Sequence, residues 1–250
     1  MRLRLYTYIV YTFLIIVVFP SLGQSGQLVA IAFSEFPPYK MIVDGKQTGI
    51  DAEILTEIAK RMDLTFYFNN GTFEDCLRMM ERGDADLMTS LLRRPERENY
   101  IHYVQPRYRT RANKIFYVHN DRRNLIRSYD DLTRLKIGVK GGVKYAPMFD
   151  NNKDLIKIPA PDIATNLQRL LSGEIDTFLD TSTEGDYWIK TLGFGEKVEK
   201  AIFKFTHSDS TYIGISKKSL LTNRAKELGR HLKQMVDKGL IQKIVDTYVK

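Results

Sequence analysis

Residues 83–108 read GDADLMTSLLRRPERENYIHYVQPRY, and this stretch decides the fold. Gly83 ends a helix whose apolar positions are Phe73, Cys76, Leu77 and Met80, and a short strand is expected over 85–88. The chain then turns at Pro95 and offers Arg97 just past the carboxyl end of that strand. In an α/β sheet, ligands gather in the crevice outside those carboxyl ends. A guanidinium there can grip a carboxylate with two parallel hydrogen bonds. A second reading stays open: between Glu96 and Glu98, Arg97 is also placed for a surface ion pair, which contributes little.

The alternation of strand and helix extends in both directions. Upstream, LVAIAF over 28–33 reads as a strand and SEFPPY over 34–39 as a loop stiffened by two prolines. Phe36 and Tyr39 project from that loop, either as ligand walls or as packing beneath it. Asp44-Gly45-Lys46 is a hairpin turn. Asp51 is expected to cap a helix with the stripe Ile54, Leu55, Ile58, Ala59 and Met62, and a strand follows over 64–68. The chain leaves this first unit through a strand over 114–118 and a polar, basic linker or hairpin over 119–127.

A second unit follows. Strands are expected over 136–139, 155–158 and 175–179, and helices over 162–171 and 183–192. The turn Lys140-Gly141-Gly142 is expected to feed a helix beginning near Lys144, a candidate anion site. Strands over 202–205 and 212–216 return the chain, and helices over 220–238 and 239–248 close it. The hexads GDADLM (83–88) and GEIDTF (173–178) echo one another. Two lobes built on similar α/β units, joined by two extended crossings, imply a cleft that closes by hinge motion.

Composition narrows the function. Arg2 and Arg4, an apolar run over 8–19, and Pro20, Ser21 and Gly23 read as a secretory signal peptide over 1–23. No cysteine follows the run to carry a lipid, so a periplasmic location is expected. The single cysteine, Cys76, reads as a small buried hydrophobe; as a nucleophile it would need a base such as His102 or His119. A net charge of +8 suits an anionic ligand or surface, and its scatter without a basic tract argues against nucleic acid. Four histidines without paired spacing suggest no metal site, and no cofactor motif stands out.

The ordered set Phe36-Pro37-Pro38-Tyr39, Gly49-Ile50-Asp51, Gly83-Asp84-Ala85-Asp86, Pro95-Glu96-Arg97 and Gln105-Pro106-Arg107-Tyr108 resembles the bacterial extracellular solute-binding proteins of family 3. That family serves polar amino-acid uptake and is related to the ligand-binding cores of ionotropic glutamate receptors. Residues 132–142 and 238–244 extend the likeness to the end of the chain. The resemblance implies a two-lobed periplasmic binding protein-like fold, each lobe a mostly parallel sheet flanked by helices. It implies lobes over 26–117 plus 208–250 and over 118–207. It implies that Arg97 binds a ligand carboxylate, that Phe36 and Phe73 are aromatic walls, and that Thr89 and Ser90 line the cleft, with Gly142, Val143, Asp180 and Thr181 on the far side.

Several positions depart from the family pattern. Leu92 replaces the usual threonine five residues before the arginine, Val143 the usual hydroxyl residue after the glycine turn, and Phe33 the first-lobe acidic residue. Thr181 aligns with the usual amino-binding aspartate, with Asp180 one residue away. Glu35, Arg93, Arg107 and Asp180 are candidate substitutes. Arg107 with Arg97 would make a doubly basic cleft suited to a dicarboxylate or acidic peptide. The expected role is a monomeric, non-catalytic protein that hands a small carboxylate-bearing solute to an ABC-type transporter permease. A sensory subunit stays open, as does a dehydratase-like enzyme using Glu35 or Asp180 as acid or base.

Overall fold

The computed structural model describes residues 26–110, 112–143, 145–206 and 210–250. The expected signal peptide and Lys144 lie outside them. In chain order the elements are β1 (Gln27–Phe33), a hairpin of β2 (Met41–Val43) and β3 (Lys46–Thr48), α1 (Ile50–Met62), β4 (Leu64–Asn70), α2 (Phe73–Arg82), β5 (Leu87–Leu92), β6 (Ile101–Tyr103) and β7 (Arg109–Thr110). Next come β8 (Lys114–His119), β9 (Lys136–Lys140), α3 (Pro147–Asp150), β10 (Ile156–Ala160), α4 (Ile163–Ser172), β11 (Thr177–Thr181), α5 (Ser182–Thr191) and β12 (Val198–Phe205). β13 (Ser210–Ser216), α6 (Ala225–Asp237) and α7 (Leu240–Val249) complete the chain.

Two sheets organise these elements. The first has the order β4-β1-β5-β13-β6, with β7 also on β13; the second has the order β10-β9-β11-β8-β12. In each, three parallel strands sit on one side and antiparallel strands extend the other. Both faces of each sheet are covered. On the first, Ile54, Leu55 and Ile58 of α1 pack with Leu228 and Leu232 of α6, while Cys76 and Met80 of α2 fill the opposite face. On the second, Phe116, Phe149 and Phe205 form one core, and Tyr117, Leu167 and Phe178 form the other. Near-continuous apolar strands such as β1 are what a sheet buried on both faces requires.

The crossing between sheets falls earlier than the expected boundary after residue 117. β8 pairs along its length with β11, from Lys114 opposite Thr181 to Tyr117 opposite Phe178, and with β12 on its other side. Phe116 and Tyr117 are wholly buried in the second lobe's cores, so this strand is sheet rather than hinge. The chain crosses between the end of β7 at Thr110 and the start of β8 at Lys114, and returns between Phe205 and Ser210.

The internal echo extends to individual hydrogen bonds. Gly83 and Gly173 both end helices in the left-handed region, at φ 86° and 77°. The Asp86 carboxylate accepts from the Ala30 N–H at 2.7 Å, and the Asp176 carboxylate from the Lys136 N–H at 2.8 Å. Each aspartate thus ties its turn to the neighbouring parallel strand. Because residues 85–86 and 175–176 make these turns, β5 and β11 begin two residues later than expected and run further toward the cleft.

Two local expectations are corrected. Asp51 does not cap α1; Gly49 does, at φ 105°, where a Cβ would lie 2.7 Å from the carbonyl oxygens of Pro38 and Tyr39. The Gly141-Gly142 turn does not feed a helix start. Among the described residues the next helix is α3, a four-residue turn beginning at Pro147 rather than near Lys144.

Candidate functional site

The ends of both sheets face a cavity of about 390 Å³. From the first lobe, Phe36 and Tyr39 come from the loop after β1, Phe73 from the start of α2, Ser90 and Leu92 from β5, and Arg94 and Arg97 from the segment beyond it. From the second, Lys114 opens β8, Lys140 ends β9, Asp180 and Thr181 end β11, Glu184 lies in the first turn of α5, and Val143 follows the glycine turn. Arg109 of β7 and Ala112 of the crossing also line it.

Arg97 is positioned by an aromatic ring and a backbone carbonyl. Glu98 accepts from Arg93 Nε at 2.7 Å, so that flanking glutamate is occupied. The Arg97 guanidinium lies 5.3 Å from the Phe73 ring centroid, and its Nη1 donates to the Leu92 carbonyl at 3.5 Å. It is half-buried, held by an aromatic face and turned toward the cavity. Phe36 is 40% exposed and stacks on Tyr39 at 5.1 Å; Phe73 is 42% exposed. Apolar rings left this open inside a cleft are available to a ligand.

Beneath this wall lies a buried polar network. Asp51 is wholly buried and accepts from Ser90 Oγ at 2.5 Å and from the Tyr108 hydroxyl at 3.0 Å. The Ser90 N–H donates to that same hydroxyl at 2.9 Å. Arg109 donates to Ser90 Oγ, lies 3.9 Å from Asp51 and stacks 3.9 Å over the Tyr39 ring. Burial works to lower the Arg109 pKa, but Tyr108, Asp51 and Tyr39 outweigh it and keep the guanidinium charged. Ser90 itself sits at φ 60°, beside an irregularity in the pairing of β5 with β13. A non-glycine residue there costs about 1–2 kcal/mol, and the network holds it. Lys40, also buried, donates to Ser34 Oγ at 3.2 Å, and burial lowers its pKa against the pull of Asp51.

The second-lobe wall carries a pair of carboxyls. Asp180 is 4% exposed, and burial followed by the neighbouring Glu184 charge pushes its pKa up to about 7. The Thr181 N–H, Lys114 and Lys140 pull the other way. Thr181 caps α5: its hydroxyl accepts from the Glu184 N–H at 3.4 Å and donates to the Glu184 carboxylate at 2.7 Å. Thr181 is thereby occupied, and Asp180 is the acidic group presented beside it.

The cavity therefore gathers Phe36, Phe73, Ser90, Arg97, Val143, Asp180 and Thr181 of the expected residues. Thr89 is 1% exposed and turned into the lobe, and Gly142 stands in the exposed turn, off the cavity wall. Arg107 is corrected. It is exposed, donates to Ser210 Oγ at 2.9 Å and lines a separate interlobe cavity of about 910 Å³ on the α7 side. Of these two neighbouring arginines, Arg109 lines the cleft, where it meets the buried Asp51 carboxylate at 3.9 Å. Glu35 accepts from the Ile42 N–H at 3.1 Å and Arg93 is paired with Glu98, so neither replaces a missing contact. Burial raises the pKa of the Cys76 thiol, with Lys40 the main charge opposing it, which suits a packed side chain rather than a nucleophile. Lys114, Lys140, Glu184, Arg94 and Arg109 were not expected at the site: at a strand end, in a first helical turn or beside a proline they carry no local signal.

Comparisons with known proteins agree with this architecture. A family model described as bacterial extracellular solute-binding proteins, family 3, matches residues 28–250. A probable histidine-binding protein of Campylobacter jejuni is 25% identical over 108 residues; the match spans 43% of this chain and 41% of that protein's length. Among solved structures, the second substrate binding domain of a putative amino acid ABC transporter from Streptococcus pneumoniae superposes with a TM-score of 0.73 at 23% identity, over 90% of this chain and all of that one. Substrate binding domain 2 of GlnP from Lactococcus lactis, in an open conformation, gives 0.72 at 22% identity, over 89% and 95% of the two chains. With the family model matched along nearly the whole described chain, on two lobes that face one cleft, this protein belongs to the bacterial extracellular solute-binding proteins, family 3.

Proposed function

We propose that this protein captures a small carboxylate-bearing solute, an amino acid or a related organic anion, in the cleft between its lobes. It then delivers the solute from the periplasm to an ABC-type membrane permease. Arg97 holds the carboxylate, Phe36 and Phe73 cover the solute's apolar part, and Asp180 faces an amino group where one is present. The observation that carries the reading is that Arg97 and Asp180, from different lobes, line one cavity of about 390 Å³. A ligand held by both lobes favours the closed arrangement by its differential affinity for it. The departures at Leu92 and Val143 remove hydroxyl contacts, so more of the carboxylate's binding falls to Arg97.

The test is isothermal calorimetry of the purified protein against amino acids and organic acids, repeated with Arg97→Ala. Loss of a charge-assisted, two-bond contact is expected to weaken binding about 100-fold or more. Unchanged affinity in the variant would remove Arg97 from the site.

A further inference from the structure

The charge on the cavity wall points to the class of ligand, and the inference rests on the cleft being the solute site. Five cations line the cavity: Arg94, Arg97, Arg109, Lys114 and Lys140. Two carboxyls face them, Asp180 and Glu184. Behind the wall, Asp51 accompanies Arg109 at 3.9 Å. Five positive groups against three acidic ones leave a surplus of positive charge inside a recess with apolar walls, where field lines concentrate.

The surplus is not spread evenly. Of the second-lobe lysines, Lys114 acts on Asp180 more strongly than Lys140 does, which leaves Lys140 the less committed of the two. Arg109 is committed to Asp51 and Ser90. The excess therefore sits with Arg97, half-buried, and Arg94, exposed at the cavity's edge three residues before it across Pro95. Arg97 is oriented by Phe73 and the Leu92 carbonyl. A ligand with one carboxylate neutralises one of these two arginines; a cationic amino acid adds to the excess. With Leu92 and Val143 on the wall, hydroxyl contacts to a neutral polar ligand are scarce, and discrimination falls to charge.

We propose that the cleft selects small dicarboxylates, one anionic group on Arg97 and the second between Arg94 and Lys140, over cationic and neutral amino acids. An α-amino group is accommodated at the Asp180 side, so glutamate, aspartate and succinate all fall within the class. Bridging Arg94 of one lobe to Lys140 of the other also ties closure to the second anionic group.

The experiment is calorimetric titration of the purified protein with L-glutamate, L-aspartate and succinate, set against L-glutamine, L-histidine and L-arginine. The probes are repeated with Arg94→Gln and Lys140→Gln, each checked by circular dichroism and thermal melting. A dicarboxylate is expected to bind at least about tenfold tighter than glutamine and the cationic amino acids. Each variant is expected to shrink that ratio, mainly by weakening the dicarboxylate. Tighter binding of glutamine, histidine or arginine overturns the selectivity while leaving solute binding intact. A ratio unchanged in both folded variants overturns the assignment of the second anionic group. Failure of every probe to bind overturns this inference together with the solute-binding reading.

Discussion

Asp180 shows how much a single position depends on its surroundings. It ends β11, shielded from water, with Glu184 on α5, Lys114 on β8, Lys140 on β9 and the hydroxyls of Tyr117 and Tyr145 around it. Burial and the Glu184 charge raise its pKa from 3.8 to about 7. Between those values the folded chain keeps a proton that the unfolded chain has released. The contribution to stability therefore falls as pH rises through that window, and the penalty is complete above it. Asp180→Asn is expected to raise the melting temperature of the ligand-free protein by about 10 °C at pH 8 and by almost nothing at pH 4. Equal melting of variant and parent at both pH values would show that the carboxyl is ionised at little cost. The same variant is expected to weaken amino-bearing ligands more than succinate. Residue type announced Arg97 and Asp180 as candidates, but Arg107 and Arg109 are equally basic and two positions apart. Only the buried Asp51 decides which of them reaches the cleft.

At the scale of the element, the repeated helix–glycine–turn–strand unit is the most legible feature of the chain. Its glycines, acidic turns and apolar strands are local signals, and both copies fold alike. The aspartates are predicted to differ in weight. Asp86 accepts from the Ala30 N–H and, at 2.5 Å, from Ser219 Oγ, whereas the Asp176 carboxylate, among the described residues, accepts from the Lys136 N–H alone. Asp86→Ala is expected to cost about 2–3 kcal/mol and Asp176→Ala about 1–2 kcal/mol in chemical denaturation. Their effects should add in the double variant, because the two turns share no partner. An Asp176→Ala cost equal to or above that of Asp86→Ala would contradict this ranking. What the pattern did not show was how far β5 and β11 run. The turn consumes residues 85–86 and 175–176, and the strands carry Ser90, Leu92, Asp180 and Thr181 to the cleft.

For the whole molecule, two short crossings join the lobes, and a hydrogen bond also links their helices. Lys190 Nζ of α5 donates to the Thr247 carbonyl of α7 at 2.8 Å, while the Ser182 N–H holds the first crossing through the Asn113 carbonyl at 2.8 Å. Such a joint suits hinge closure. Saturating ligand is predicted to reduce the radius of gyration in small-angle scattering by roughly 0.5–1 Å from a value near 17 Å. An unchanged profile at saturation would mean that the lobes do not close on the ligand.

By itself the sequence determined the α/β alternation, the two lobes, the internal repeat and the arginine at the end of β5. Each of these rests on neighbours within a few residues: apolar period, caps and turn chemistry. The tertiary structure alone decided where the lobes divide, because β8 is a strand in either lobe until its partners are known. It alone turned Asp51 from an expected cap into a buried anchor for Arg109, and brought Lys114, Lys140 and Glu184 to one wall. Charge compensation and burial arise between segments tens of residues apart, such as Asp51 with Arg109 and Asp180 with Lys114, and no local pattern records them.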